Sequence, residues 1–388
     1  MAIPPPLQAM IAELRQEHSE LEHVPDEAVA ELILRALAAQ DAPGLGENPD
    51  DVDVERLSAR ECGAHGAQLL RTGQWDAAER FFFAQLEKGE QAADLNQQCE
   101  ATAKLGQLCL RRGNFPQARM LYQRALGLAE GLGDQALMSM IYDEIGTTYR
   151  LQGDYPRAIE HYRKGLEIDE RLGAEHGVAA TYGNLGNIYA QQGDLDQAIQ
   201  AFERSLERSI KIGAEQLTAN SYTNLGGVFV SQGRYEQAME MCERSLELKL
   251  RLGDQHGAAT TYGTLGNLHL RLGDLEAALR MFQNTLEIFE RVGDEPGLAK
   301  VHNSLGSVYE KKGDVARALE SFSKSLEITE RIGDRHGAAR QYFNLGILYA
   351  NLSERGQAQA YLEKARALFE MVGDAPHAQQ SALALRHL

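Results

Sequence analysis

The chain has 388 residues, 43% apolar and 24% charged, with 39 basic side chains against 56 acidic ones and a net charge of −17. That length suits two or three ordinary domains or one long repeat array, and the acidity argues against a nucleic-acid partner, which needs positive charge concentrated along the backbone it tracks. No apolar run approaches the roughly 18 residues of a membrane span, and the four cysteines (Cys62, Cys99, Cys109, Cys242) form no CxxC pair, so a cytoplasmic chain without membrane partner is expected.

Residues 1–54 come first and differ from everything after them. The opening MAIPPPLQAM carries neither a basic leader nor a long apolar stretch, so no secretory signal is expected. Pro4-Pro5-Pro6 precedes a short amphipathic helix with Leu7, Met10, Ile11 and Leu14. Pro25-Asp26-Glu27 opens a second, whose stripe is Val29, Leu32, Ile33 and Ala36. Residues 41–54 hold five acids and no base and read as a linker. Residues 1–60 contain 13 acidic and 4 basic side chains, which places −9 of the −17 there.

From about 55 to 375 the sequence repeats every 40 residues, in eight units. One glycine ladder runs from Gly66 through Gly186 to Gly346, a second from Gly73 to Gly313, a third from Gly133 to Gly373, and an alanine ladder from Ala78 to Ala358. In the unit at 176–213, Tyr182, Leu185, Gly186 and Tyr189 form one helical stripe. Gly193 is placed for a left-handed cap and Asp194 for the cap of a second helix from about Leu195, with Ala198, Phe202 and Leu206 on one face and an end at Ile212-Gly213. Neither helix buries its stripe alone, so the units must stack into a solenoid. Gly186 costs roughly 1 kcal/mol against alanine inside a helix, and its recurrence predicts close helix–helix approach. Residues 376–388 read as a final capping helix.

Tyr182-x2-Leu185-Gly186-x2-Tyr189 followed by Ala198-x3-Phe202 resembles the tetratricopeptide repeat pattern W-x2-L-G-x2-Y…A-x3-F. Tyrosine stands for tryptophan in several units, and the usual closing proline gives way to a longer second helix ending in Leu/Ile-Gly-Asp. The 40-residue length and the NLGN and LGD signatures resemble the subclass found in the Pins/LGN adaptors and in bacterial regulators. The resemblance implies an all-α fold, a right-handed superhelix (α-solenoid) of helical hairpins, and a concave groove for an extended peptide.

No catalytic constellation stands out: HExxH, GxxxxGK[ST] and GxSxG are absent, no cysteine and histidine share metal-ligand spacing, and no enzyme activity, cofactor or metal is expected. His176, His256 and His336 recur at multiples of 40 and read as first-turn residues. Cys109 and Cys242 stand where Tyr149 and Phe202 stand in other units and read as core thiols. Gly131-Leu132-Gly133-Asp134 looks like a phosphate loop, yet the pattern repeats as a helix terminator.

The variable positions of each first helix carry the functional reading. Residues 180, 183, 184, 187, 190 and 191 lie within about 60° of residue 187 at about 100° per residue, away from the Tyr182/Leu185/Tyr189 stripe. Across units this face shows Asn184, Asn187, Thr223, Asn224, Asn267, Asn303 and Asn344. An amide side chain both donates and accepts, as a peptide unit does. The opposing reading, that these residues cap or pack neighbouring repeats, stays open at this stage. Arg271, Lys300, Lys311 and Arg340 add positive charge toward the C-terminal half, whereas Asp143 and Glu144 mark the N-terminal half with Arg150 as the exception. That contrast points to an acidic ligand segment. In the carboxylate-clamp form that the resemblance brings to mind, Asn187 and Asn224 supply amides, but Gly183, Thr260 and Thr264 stand where cations are needed, so that clamp is not expected. The sequence therefore reads as a protein-interaction scaffold for an extended peptide or partner helix. The alternative is a sensor of a short peptide coupled to residues 1–54. Self-association through that acidic segment is a further expectation.

Overall fold

The computed structural model describes residues 52–388. The two helices expected before residue 41, and the linker up to 51, lie outside the described residues. Residues 52–54 do not behave as a free tether: Val52, Val54 and Leu57 pack on the first hairpin, and Lys88 Nζ donates to the Glu55 carbonyl at 3.0 Å.

The chain divides into two compact units between Leu172 and Gly173. In the first, a 3-10 turn at Val54–Arg56 precedes α1 (Ala59–Arg71), α2 (Trp75–Gln91), α3 (Leu95–Arg111), α4 (Phe115–Leu132), α5 (Gln135–Leu151) and α6 (Tyr155–Leu172). The second holds α7 (Glu175–Gln192), α8 (Leu195–Lys211), α9 (Glu215–Ser231), α10 (Tyr235–Arg251), α11 (Gln255–Leu272), α12 (Leu275–Val292), α13 (Glu295–Lys311), α14 (Val315–Arg331), α15 (Arg335–Asn351), α16 (Arg355–Met371) and α17 (Ala375–Arg386). Consecutive helices pack as hairpins within each unit. The architecture is an all-α solenoid of such hairpins.

The helix ends follow from the ladders. Gly193 closes α7 at φ 80°, and Asp194 Oδ1 accepts from the Gln197 amide to open α8. The same positive φ recurs down both loop ladders, and the two gaps in them are filled by Ala93 at φ 53° and Ser353 at φ 62°. The phosphate-loop lookalike ends α4, with Gly133 left-handed and Asp134 capping α5.

Packing within a hairpin explains the first glycine ladder. A Cβ on Gly186 would lie 2.6 Å from the Phe202 ring, and one on Gly266 would lie 2.7 Å from Phe282. Hydroxyls then tie the paired helices: Ser205, Ser245 and Ser325 donate to the carbonyls of Ala179, Ala219 and Ala299 at 2.7, 2.9 and 2.7 Å.

The apolar stripe read from the sequence needs correction. In α7 the buried residues are Val178, Ala179, Thr181, Leu185, Gly186 and Ile188, while Tyr182 and Tyr189 are half-buried. Tyr182 lies under the Arg204 guanidinium, and Tyr189 packs at the edge of the cluster around Phe202. In α8, Ala201, Ser205 and Ser209 join Ala198 and Phe202 inside, whereas Leu206 is half-buried. Small polar residues fill the seam, and the hydroxyls of Ser205 and Ser209 find backbone acceptors at Ala179 and Leu206.

Candidate functional site

In the second unit, call α7, α9, α11, α13 and α15 the first helices of their hairpins. Asn184 and Asn187 lie on α7, Asn224 on α9, Asn267 on α11, Asn303 on α13 and Asn344 on α15. Asn267 is exposed and the others half-buried. The structure joins two of them: Asn344 Nδ2 donates to Asn303 Oδ1 at 2.9 Å. The amides of Asn184, Asn187, Asn224 and Asn267 bond no described residue.

Arg271, Lys300, Lys311 and Arg340 are all exposed, and none forms an ion pair with a described residue. Arg271 and Lys311 share one register position of consecutive first helices, and Lys300 and Arg340 share another. Elsewhere on the second unit cations are spent on hairpin closure, as in Lys211–Glu175 (2.6 Å), Arg251–Glu215 (2.8 Å) and Arg331–Glu295 (3.1 Å). What sets the four apart is their place on the first helices at two repeating register positions, since Arg280, Arg291 and Arg355, on other helices or positions, are likewise exposed without an ion pair among the described residues.

Two predicted residues are placed differently from the rest. Thr223 is engaged internally: its hydroxyl lies 3.0 Å from the Ala219 carbonyl and 2.8 Å from Ser245 Oγ, and it accepts from Lys249 Nζ at 2.9 Å. Its proton is committed to the Ala219 carbonyl, so it has no donor to offer a ligand. Arg150 belongs to the first unit, where it is half-buried with its Nε buried and unbonded, near Tyr162, whose hydroxyl lies 2.8 Å from Thr147. It does not join the free cations. In the same unit Tyr122 donates to Glu144 at 3.1 Å, and burial pushes the Glu144 carboxyl up.

A cavity of about 250 Å³ opens among α11, α12 and α13. Asn267 and Lys300 line it, together with Thr260, Thr264 and Ser304 and the rings of Phe282 and Phe289. His256 closes one end, its Nδ1 3.5 Å from Asp294. Two repeats on, His336 Nε2 lies 2.9 Å from Asp374, which His377 also contacts at 2.8 Å, and those imidazoles hold the Asp374 carboxyl down at about 2. The corresponding aspartate position for His176 is Ala214. The histidines at 256 and 336 thus reach the capping aspartate of the next hairpin.

Sequence reading missed Lys249. Its side chain is 95% removed from solvent, and its ammonium donates to Thr223 and Thr261 Oγ1, both at 2.9 Å, with no carboxylate in ion-pair range. Burial pushes this amine down. The available signal was its register: the ladder position reads Ala129, Asp169, Ser209, Lys249, Phe289 and Thr329, and Lys249 is its only cation. The cysteines are buried thiols, Cys99 and Cys242 pushed up to about 11 by desolvation. Among the described residues no group of three His, Cys, Asp or Glu side chains is arranged to hold a metal, and no helix is long and apolar enough to cross a membrane.

A family model for the tetratricopeptide repeat matches residues 137–211, 217–291 and 297–371, and a second model of that description matches 101–136. No curated protein matches the chain. Among solved structures, the apo form of the quorum sensor NprR from B. thuringiensis is similar over 93% of this chain and 99% of its own, with 17% identity and a TM-score of 0.60. A signal-transduction ATPase with a tetratricopeptide repeat sensor, from Pyrococcus horikoshii, matches over 79% of this chain and 48% of its own at 15% identity and 0.61. Aspartyl phosphate phosphatase F from Bacillus subtilis matches over 94% and 89% at 14% identity and 0.56. At these identities the likeness is one of fold.

Proposed function

We propose that this chain, which belongs to the tetratricopeptide repeat family, is a non-catalytic interaction protein whose first helices in the second unit hold an extended acidic peptide. The observation that carries the reading is the set of four exposed cations without an ion pair among the described residues, Arg271, Lys300, Lys311 and Arg340, at two repeating register positions, with the unbonded amide of Asn267 lining the same cavity as Lys300. Cations at a 40-residue repeat meet successive carboxylates of an extended chain, while amides bond its backbone without reading its sequence. The names of similar structures, a quorum sensor and a repeat sensor, agree with a ligand-receiving role. The division into residues 1–54, repeats over 55–375 and a cap at 376–388 belongs to this proposal, as does a cytoplasmic setting. Residues 41–54 carry the same acidic chemistry, so self-association through that segment is one source of the ligand.

The test is charge reversal. Lys300→Glu with Arg340→Glu should weaken binding of a labelled glutamate-rich peptide at least about tenfold in low salt, since each charged hydrogen bond contributes on the order of 1.5–3 kcal/mol. The wild-type affinity should fall as salt rises. Unchanged affinity in the double variant would count against the reading.

A further inference from the structure

Two helix-interior glycines of α11 stand in opposite situations. A Cβ on Gly266 would strike the Phe282 ring at 2.7 Å, so packing requires glycine there. A Cβ on Gly263 would meet nothing closer than Thr285 at 3.8 Å, an ordinary contact. Alanine would fit at 263 and would favour the helix. The same register position holds Asp143, Thr223, Asn303 and Phe343 in other hairpins, so larger side chains are accommodated at it. At 263 the missing side chain leaves the cavity among α11, α12 and α13 open, and Gly263 lines it.

The cavity joins two kinds of surface. Phe282, Phe289 and Val301 are buried and apolar, whereas Asn267 is exposed and Lys300 is exposed without an ion-pair partner among the described residues. At about 250 Å³ it falls just short of the roughly 300–1,000 Å³ of pockets that hold whole small molecules. That is room for one residue's side chain, with a cation beside it.

We propose that this cavity receives one bulky apolar side chain of the ligand peptide, with a carboxylate of the adjoining ligand residue on Lys300. The inference rests on the acidic-peptide reading and deepens it: the ligand is an acidic peptide read at one apolar position. Asn267 bonds the ligand backbone between the two contacts, and the space above Gly263 admits the side chain.

Three labelled heptapeptides test this by fluorescence anisotropy on the full chain: one leucine flanked by three glutamates on each side, the same peptide with glycine for leucine, and the leucine peptide with glutamines for glutamates. The leucine peptide should bind at least about tenfold more tightly than the glycine peptide, as burial of a leucine side chain implies. Gly263→Leu should abolish that preference, and Gly263→Ala should narrow it without lowering the melting temperature; the alanine variant decides the matter if the leucine variant folds poorly. Equal affinity for leucine and glycine peptides, with salt-sensitive binding of both, would overturn the pocket and leave the acidic-peptide reading standing. Glutamate peptides binding no better than the glutamine peptide would overturn both.

Discussion

Lys249 shows how much one residue departs from its repeat. Its neighbours in the register are apolar, small, hydroxyl-bearing or, once, acidic, yet here an ammonium sits between Thr223 and Thr261 with no described carboxylate within ion-pair distance, Asp254 offsetting its burial only in part. Both threonines keep other acceptors for their own protons, the carbonyls of Ala219 and Gly257. A buried charge whose direct hydrogen-bond partners are neutral is costly. Lys249→Met should therefore fold and match wild type or exceed it by about 1–2 kcal/mol in urea denaturation. The pH dependence has a definite sign. An amine lowered in the folded state penalises folding while it must be charged, so wild-type stability should rise as pH climbs through the folded value toward the unfolded value of about 10.4. The methionine variant should lack that rise. A variant destabilised by more than about 2 kcal/mol would mean the ammonium is better compensated than the hydroxyl contacts indicate.

At the scale of helices and joints, most of the fold was legible because backbone geometry restricts residue type sharply. Only glycine enters the left-handed region without penalty, so Gly193 and its equivalents announced each helix end, and Asp194 and its equivalents announced each start. The close-approach glycines were legible for the same reason: Gly186 leaves room for the Phe202 ring and nothing else does. The half-buried Tyr182 and Tyr189 were less so, because a tyrosine at helical spacing reads as core while its length lets it lie along the seam with its hydroxyl outward. Ser205 went unread because its burial depends on a carbonyl of the partner helix, which no local pattern displays. Ser353 tests the joint rule. It occupies a left-handed position, φ 62°, that glycine holds in the equivalent loops before it. Ser353→Gly should raise stability by about 1 kcal/mol, the order of the steric cost of a side chain there, measured as a rise in melting temperature. A fall would show that the serine side chain contributes more than its backbone strain costs.

For the whole molecule, strict repetition separates two kinds of information. What recurs, the ladders at 40-residue spacing, establishes the family and the hairpin fold. What varies, the residues at 263, 267, 271, 300, 311 and 340, carries the candidate site, and it was only partly legible. Free and engaged side chains look alike in sequence. Thr223 and Asn224 are neighbours in the chain, yet the first is held by Lys249 and the second bonds no described residue. Arg150 and Arg271 are both first-helix arginines, yet the first is half-buried with its Nε sealed from solvent and the second is exposed. The cavity beside Gly263 arises from an absent side chain, and the sequence row shows only a small residue.

The central claim is that the first-helix face of the second unit holds the ligand. Photocrosslinking tests it most directly. A glutamate-rich peptide with a central leucine and a photoreactive phenylalanine analogue at one end is bound to the full chain in low salt, irradiated, and its attachment sites are mapped by mass spectrometry. The account predicts attachment within α11, α13 and α15, near Asn267, Lys300 and Arg340, with loss of attachment in high salt. Attachment confined to α8, α10, α12 and α14, or attachment that salt leaves unchanged, would contradict it.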